Sequence, residues 1–158
     1  MLVMTKKLKK IVIPKDKAVF WLDRNGCWRN QHGKFEHKKI IDYFHASIRK
    51  DKDGYYVGQT IENCREKVYF HYEDTALFVF DVIRNKDITL ILNTGKQIKL
   101  TPRKLEIKAD NLYLRVGDER IKFAEKSLIK ISDLIKCVED QFFIRVHNRK
   151  YKIQKLRN

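Results

Sequence analysis

The sequence predicts an α+β protein: two related small ββαββ-like units joined by a strand-rich antiparallel middle segment. Three observations carry this. Apolar residues make up 43% of the chain but occur in short runs broken by charge, the pattern of thin sheets and short helices that each bury one face. Only two stretches carry a helical stripe. The order of a hairpin, one amphipathic helix and two strands occurs at both ends.

The elements follow in order. Residues 1–17 read as a basic arm ending near Pro14, with Ile11 to Ile13 able to form a short strand. Val19 to Leu22 is a strand, Asp23-Arg24-Asn25-Gly26 a hairpin turn, and Cys27 to Arg29 the returning strand. Ile40, Ile41, Phe44 and Ile48 form one stripe of a helix between Phe35 and Arg49, which Asp51 to Gly54 closes. Tyr55 to Val57 and Lys67 to Tyr72 are aromatic, β-branched strands. The run Ala76 to Ile83 is nearly all apolar and reads as a strand covered on both faces. Ile88 to Leu92 and Gln97 to Leu100 pair with it, and Pro102 interrupts. Leu105 to Lys108 and Leu112 to Val116 resume the sheet around Asp110-Asn111, and Arg120 to Phe123 closes a hairpin. Leu128, Ile131, Leu134, Ile135 and Val138 predict the second helix, starting near Ser127. Phe142 to Val146 and Tyr151 to Ile153 end the chain as strands around Asn148-Arg149. These elements divide the chain into the arm 1–17, an N-terminal unit 18–72 and a C-terminal unit 73–158.

The bulk properties bound the function. No apolar run approaches the roughly 18–20 residues that cross a bilayer, and no apolar segment of signal-peptide length follows the basic N-terminus. Three widely spaced cysteines, Cys27, Cys64 and Cys137, do not make a disulfide framework. The expectation is a cytoplasmic protein with free thiols, Cys137 among them in the core. A net charge of +15 favours anionic partners, or else keeps a small protein soluble, since the lysines are spread along the whole chain.

Catalytic patterns are missing. There is no G-x-S-x-G elbow and no glycine-rich phosphate loop. Cys27, His32, His37 and His45 lack the close ligand pair that a structural zinc site uses, so neither metal nor cofactor is expected. Glu73 and Asp74 are adjacent on a strand start and point to opposite faces, which argues against a shared acid–base site. Cys64 lies near Arg65 and Lys67, but flanking charge alone does not make a nucleophile.

The basic clusters remain. Lys6, Lys7, Lys9 and Lys10 lead the chain, and Arg145, Arg149, Lys150, Lys152, Lys155 and Arg157 crowd its end. They are the candidate contacts for an anion or nucleic acid, as one positive face if the two ends meet. Tyr55, Tyr56, Tyr69, Tyr113 and Tyr151 could serve as stacking platforms or as ordinary cross-strand pairs.

Three stretches resemble a bacterial family, domain of unknown function twelve eighty-five. Gly26-Cys27-Trp28 through Gly33, the helix with Ile40-Ile41 and Phe44, and Asp53-Gly54-Tyr55 are similar to its Gly-x-Trp, Phe and Asp-Gly-Tyr pattern. Tyr72-Glu73-Asp74 before an apolar strand stands where members have Val-Glu-Asp. Asn93-Thr94-Gly95 and Leu112 to Val116 resemble the remaining pieces. Cys27, the longer stretch from Gly117 to Lys126 and the basic arm depart from the pattern. The resemblance implies two α+β units, a role in bacterial signal transduction or regulation, and no reaction. The expected function is therefore a non-enzymatic regulatory module, monomer or homodimer, that binds a protein or small-molecule ligand between its units and no membrane. The alternative is a nucleic-acid-binding protein acting through its basic surface, and an enzyme of unrecognised type stands third.

Overall fold

Short apolar runs separated by turn residues fold as short strands, and strands account for most of the chain. The structure is a computed structural model that describes residues 9–157. It divides into two units at the Ala76–Leu77 step. The class is strand-rich α+β with mixed sheets. No helix among the described residues is long and apolar enough to cross a membrane.

The first unit contains β1 (Lys9–Ile13), β2 (Phe20–Leu22), β3 (Trp28–Asn30), β4 (Gly33–Lys34), α1 (Lys38–Ala46), β5 (Ile48–Asp51), β6 (Gly54–Ile61), β7 (Cys64–Tyr69) and β8 (His71–Tyr72). They form two four-stranded sheets, ordered β1-β7-β6-β5 and β4-β3-β2-β8. The core between them is aromatic. Trp28 meets Phe70 edge-on at 4.9 Å and Phe44 at 5.4 Å, and Phe20 meets Phe44 at 4.9 Å, the edge-to-face geometry that ring quadrupoles prefer.

Four readings of this unit change. The strand expected at Ile11 to Ile13 is longer, because β1 starts at Lys9 and lies parallel beside β7 from Lys9↔Cys64 to Ile13↔Val68. Helix α1 ends at Ala46, and Ile48, assigned to its stripe, is instead the first residue of β5, buried opposite Val57. The segment Asp51 to Gly54 is the β5–β6 hairpin turn, not a helix stop. The β2–β3 turn runs one residue past Gly26, because Cys27, read as a strand residue, lies in the turn and the strand starts at Trp28. Asp23 builds it by accepting the N–H of Asn25 and of Cys27, both at 2.9 Å, an Asx-type turn.

The second unit is one nine-stranded sheet. Its strands are β9 (Leu77–Arg84), β10 (Ile88–Leu92), β11 (Gln97–Lys99), β12 (Leu105–Lys108), β13 (Asn111–Val116), β14 (Glu119–Phe123), β15 (Ile135–Val138), β16 (Gln141–Val146) and β17 (Arg149–Lys155), with α2 (Glu125–Ile131) after β14. The order is β11-β10-β9-β14-β13-β12-β17-β16-β15. Helix α2 is anchored on β9. The Ser127 hydroxyl, fully buried, lies 2.7 Å from the carbonyl oxygens of Val79 and Ala124.

Here too the expectations shift. The strand β9 is covered on both faces only over Leu77, Phe78 and Val79, while Phe80 and Ile83 are exposed. The second helix is shorter than its apolar stripe, which continues into β15, so Ile135 and Val138 are strand residues and Cys137 is exposed, not core. Three hairpins turn on adjacent left-handed pairs, Ala109-Asp110, Glu139-Asp140 and His147-Asn148. That is the two-residue turn whose twist matches the flanking strands. Asn111 and Arg149, placed in turns by the sequence reading, begin strands instead.

Candidate functional site

Side chains alternate along a strand, so register decides which cations share a surface. In the β15–β16–β17 meander, Lys136 stands opposite Phe143, Phe143 opposite Lys152, and Arg145 opposite Lys150. All five therefore project from one face. The other face buries Ile144 and Ile153 completely. Lys136, Arg145, Lys150 and Lys152 are exposed, and the three strands contain no carboxylate. The Lys150 ammonium sits 4.1 Å from the centre of the Phe143 ring, a cation–π contact that holds the charge over the sheet.

Arg149 belongs to the opposite face with Tyr151. Its guanidinium lies 5.7 Å from that ring's centre, and Arg103 lies 5.3 Å from it. Arg103 comes from the 3₁₀ turn Pro102–Lys104. Together with Lys150 and Lys152 these residues border a hollow of about 340 Å³. The sequence reading named Arg145, Arg149, Lys150 and Lys152 but missed Arg103 and Lys136. The basic Pro102-Arg103-Lys104 turn was visible as a signal; Lys136 was hidden by its assignment to a helix.

Of the N-terminal lysines, Lys9 and Lys10 stand on β1 in the first unit, whereas Lys6 and Lys7 lie outside the described residues. The register brings Lys10 opposite Arg65 and Val12 opposite Lys67. Across β6 and β5 the same face carries Gly58, Tyr56, Arg49 and Asp51. Asp51 is the hub. It accepts the Tyr69 hydroxyl at 2.7 Å, the Lys67 ammonium at 3.2 Å and the Asp53 N–H at 2.9 Å. The Tyr69 hydrogen bond is the main reason the Asp51 carboxyl lies below its ordinary value. The same bond pushes the Tyr69 phenol up to about 12. Lys67 lies 4.7 Å from the centre of the Tyr56 ring.

The tyrosines are mostly occupied. Tyr113 is buried under the Arg120 guanidinium, 5.1 Å away. Tyr56 packs on Tyr69, and Tyr55 on Tyr72. Among the described residues no three His, Cys, Asp or Glu side chains come together to hold a metal. Of the histidines weighed for zinc, His45 is buried beside Trp28, where desolvation lowers its pKa to about 4. Asp23 works in the β2–β3 turn. Burial raises its pKa, but the Arg29 bond at 2.7 Å and the two N–H donors outweigh that and hold it low. Glu73 accepts the Arg24 N–H at 3.0 Å and so serves the same corner.

No family model matches the chain, and no curated protein matches it. Solved structures do. A DUF1285 family protein from Silicibacter pomeroyi DSS-3 aligns over 93% of this chain and 84% of its own, with a TM-score of 0.60 at 14% identity. The chain has the DUF1285 fold. A second DUF1285 family protein, from Shewanella baltica OS155, covers 73% of this chain and 91% of its own, at a TM-score of 0.51 and 16% identity. The resemblance to this family is thereby borne out at the level of the fold, and the DUF1285-like architecture is the frame on which both basic faces sit.

Proposed function

We propose that this DUF1285-like chain is a non-enzymatic module that binds nucleic acid through the outward face of β15–β17. One observation carries the reading: Lys136, Arg145, Lys150 and Lys152 project together around Phe143 from strands without a carboxylate. Such a surface meets a phosphate backbone with salt-dependent, largely sequence-independent affinity. The ring beneath Lys150 offers a base a place to stack once the lysine turns to a phosphate. On the opposite face of β17, Arg103 and Arg149 stack on Tyr151 and add to the positive charge around this strand. The two units support a reading as copies of one ββαββ-like plan. Each sends a helix into a three-stranded meander whose outward face sets a lysine over a ring, Lys67 on Tyr56 and Lys150 on Phe143. In this reading the protein works in the cytoplasm, as a monomer or as a homodimer.

Fluorescence anisotropy with labelled single- and double-stranded oligonucleotides tests the proposal. Lys136→Gln/Arg145→Gln/Lys150→Gln/Lys152→Gln should abolish binding that the parent shows near physiological salt. Equal affinity of parent and variant would refute it.

A second reading, a regulatory or signalling module for a small ligand, is favoured by a different observation. The first unit carries a bounded basic hollow of about 610 Å³ beside β1.

A further inference from the structure

We propose that this hollow binds a small phosphate monoester, its phosphate held between Lys10 on β1 and Arg65 on β7. The inference rests on the small-ligand reading and is independent of the nucleic-acid one. It begins with the two faces of the β1-β7-β6-β5 sheet. One face buries Ile48, Val57 and Val68. The other lines the hollow, whose volume falls in the roughly 300–1,000 Å³ range of small-molecule sites.

Charge then selects the ligand. Lys10, Lys15, Lys52, Arg65 and Lys67 line the hollow against two carboxylates, Asp51 and Asp53. Asp51 is already engaged by Tyr69 and Lys67, which neutralises Lys67 and fixes both rings of the Tyr56–Tyr69 pair. Lys10, Lys52 and Arg65 have no carboxylate partner among the described residues. Lys10 and Arg65 are exposed and face the same way, because they are register partners across the β1–β7 pair. A guanidinium fork beside an ammonium suits a tetrahedral dianion better than a single carboxylate does.

Shape separates this surface from the one on β15–β17. Val12 and Pro14 give it an apolar wall, and the turn at Lys15 and the β5–β6 hairpin residues Lys52 and Asp53 bound it. A compact ligand with a small organic body fits such a space; a polymer favours an open face. The parallel strand β1 completes the site, since it sets Lys10 beside Arg65 and, with the Pro14 that follows it, supplies the apolar wall.

The test is calorimetry of the full chain against adenosine 5′-monophosphate, ribose 5-phosphate, adenosine and citrate at physiological ionic strength. The phosphate esters should give saturable heats, adenosine none. Arg65→Gln and Lys10→Gln should each weaken the esters about tenfold, the loss of one charged hydrogen bond, without changing the melting temperature or oligonucleotide binding. Citrate heats that depend on Arg65, with none from the esters, would overturn the phosphate class and keep the small-ligand reading. No heat from any probe would overturn both. Ester binding that survives Arg65→Gln but falls with Lys150→Gln would overturn the location.

Discussion

Acid should unfold the first unit through one residue, His45. The residue is 4% exposed, and its ring centre lies 5.6 Å from that of Trp28. Burial pushes its pKa from 6.5 down to about 4, against the opposing pulls of Asp42 and of a Gly26 backbone bond. The folded pKa is depressed, so the unfolded chain takes up a proton first. Stability is then complete above pH 6.5 and falls as pH drops toward 4. The gap of about 2.5 pKa units corresponds to roughly 3 kcal/mol in full, and to roughly 2 kcal/mol between pH 7 and pH 5. Asp23 and Asp51 also have lowered values, but their stabilisation is lost only as pH falls through the carboxylate range, below this window. Urea unfolding followed by tryptophan emission reads the effect cleanly, because Trp21 and Trp28 both lie in the first unit. The unfolding free energy should drop between pH 6.5 and 4.5, and His45→Gln, which cannot titrate, should flatten the dependence. A parent protein with level stability across that window, or a variant with the parent's slope, would refute the reasoning.

Three further outcomes follow from the same geometry. The Asn93 side-chain oxygen accepts the buried Phe78 N–H at 3.0 Å, beside a backbone bond from the Asn93 N–H to the Phe78 carbonyl that alanine would keep, so Asn93→Ala should cost about 1–3 kcal/mol in denaturant unfolding for the unsatisfied Phe78 N–H; a cost near zero contradicts the role. Glu139 holds a φ of 50° in the β15–β16 turn, and Glu139→Gly should be neutral to stabilising by up to about 1 kcal/mol, since glycine adopts that backbone without a steric penalty. In an ultraviolet phenol titration, Tyr69 should ionise only near pH 12, and Asp51→Asn should bring it down toward 10; an unchanged titration would mean the bond to Asp51 does not set it.

Much of the fold was legible because turn chemistry and apolar runs are local. The apolar run after Ala76, the aromatic strands at Tyr55 and Val68, and both helices could be found that way. What failed was periodicity at element ends. Ile48 and Ile135 continue a helical stripe in sequence, yet each starts a strand because the chain turns at once into a meander, and a stripe cannot show where the backbone changes. Parallel pairing was invisible for a related reason: β1 meets β7, and β12 meets β17, across long separations with no local mark. That is why the N-terminal lysines read as an arm and why Lys10 and Arg65 were never placed together. The C-terminal basic residues were legible as a cluster, but their division between two faces depends on the hairpin register. A shift of one residue at His147-Asn148 would exchange Lys150 for Arg149 on the outward face.

The salt dependence of oligonucleotide binding tests the central claim most directly. If Lys136, Arg145, Lys150 and Lys152 each neutralise one phosphate of a single strand, affinity should fall about 50-fold between 50 and 200 mM salt. In Lys150→Gln/Lys152→Gln the logarithmic slope should shrink by about half. A parent slope near zero, or a double variant with the parent's slope, would contradict the assignment of nucleic-acid binding to the β15–β17 face.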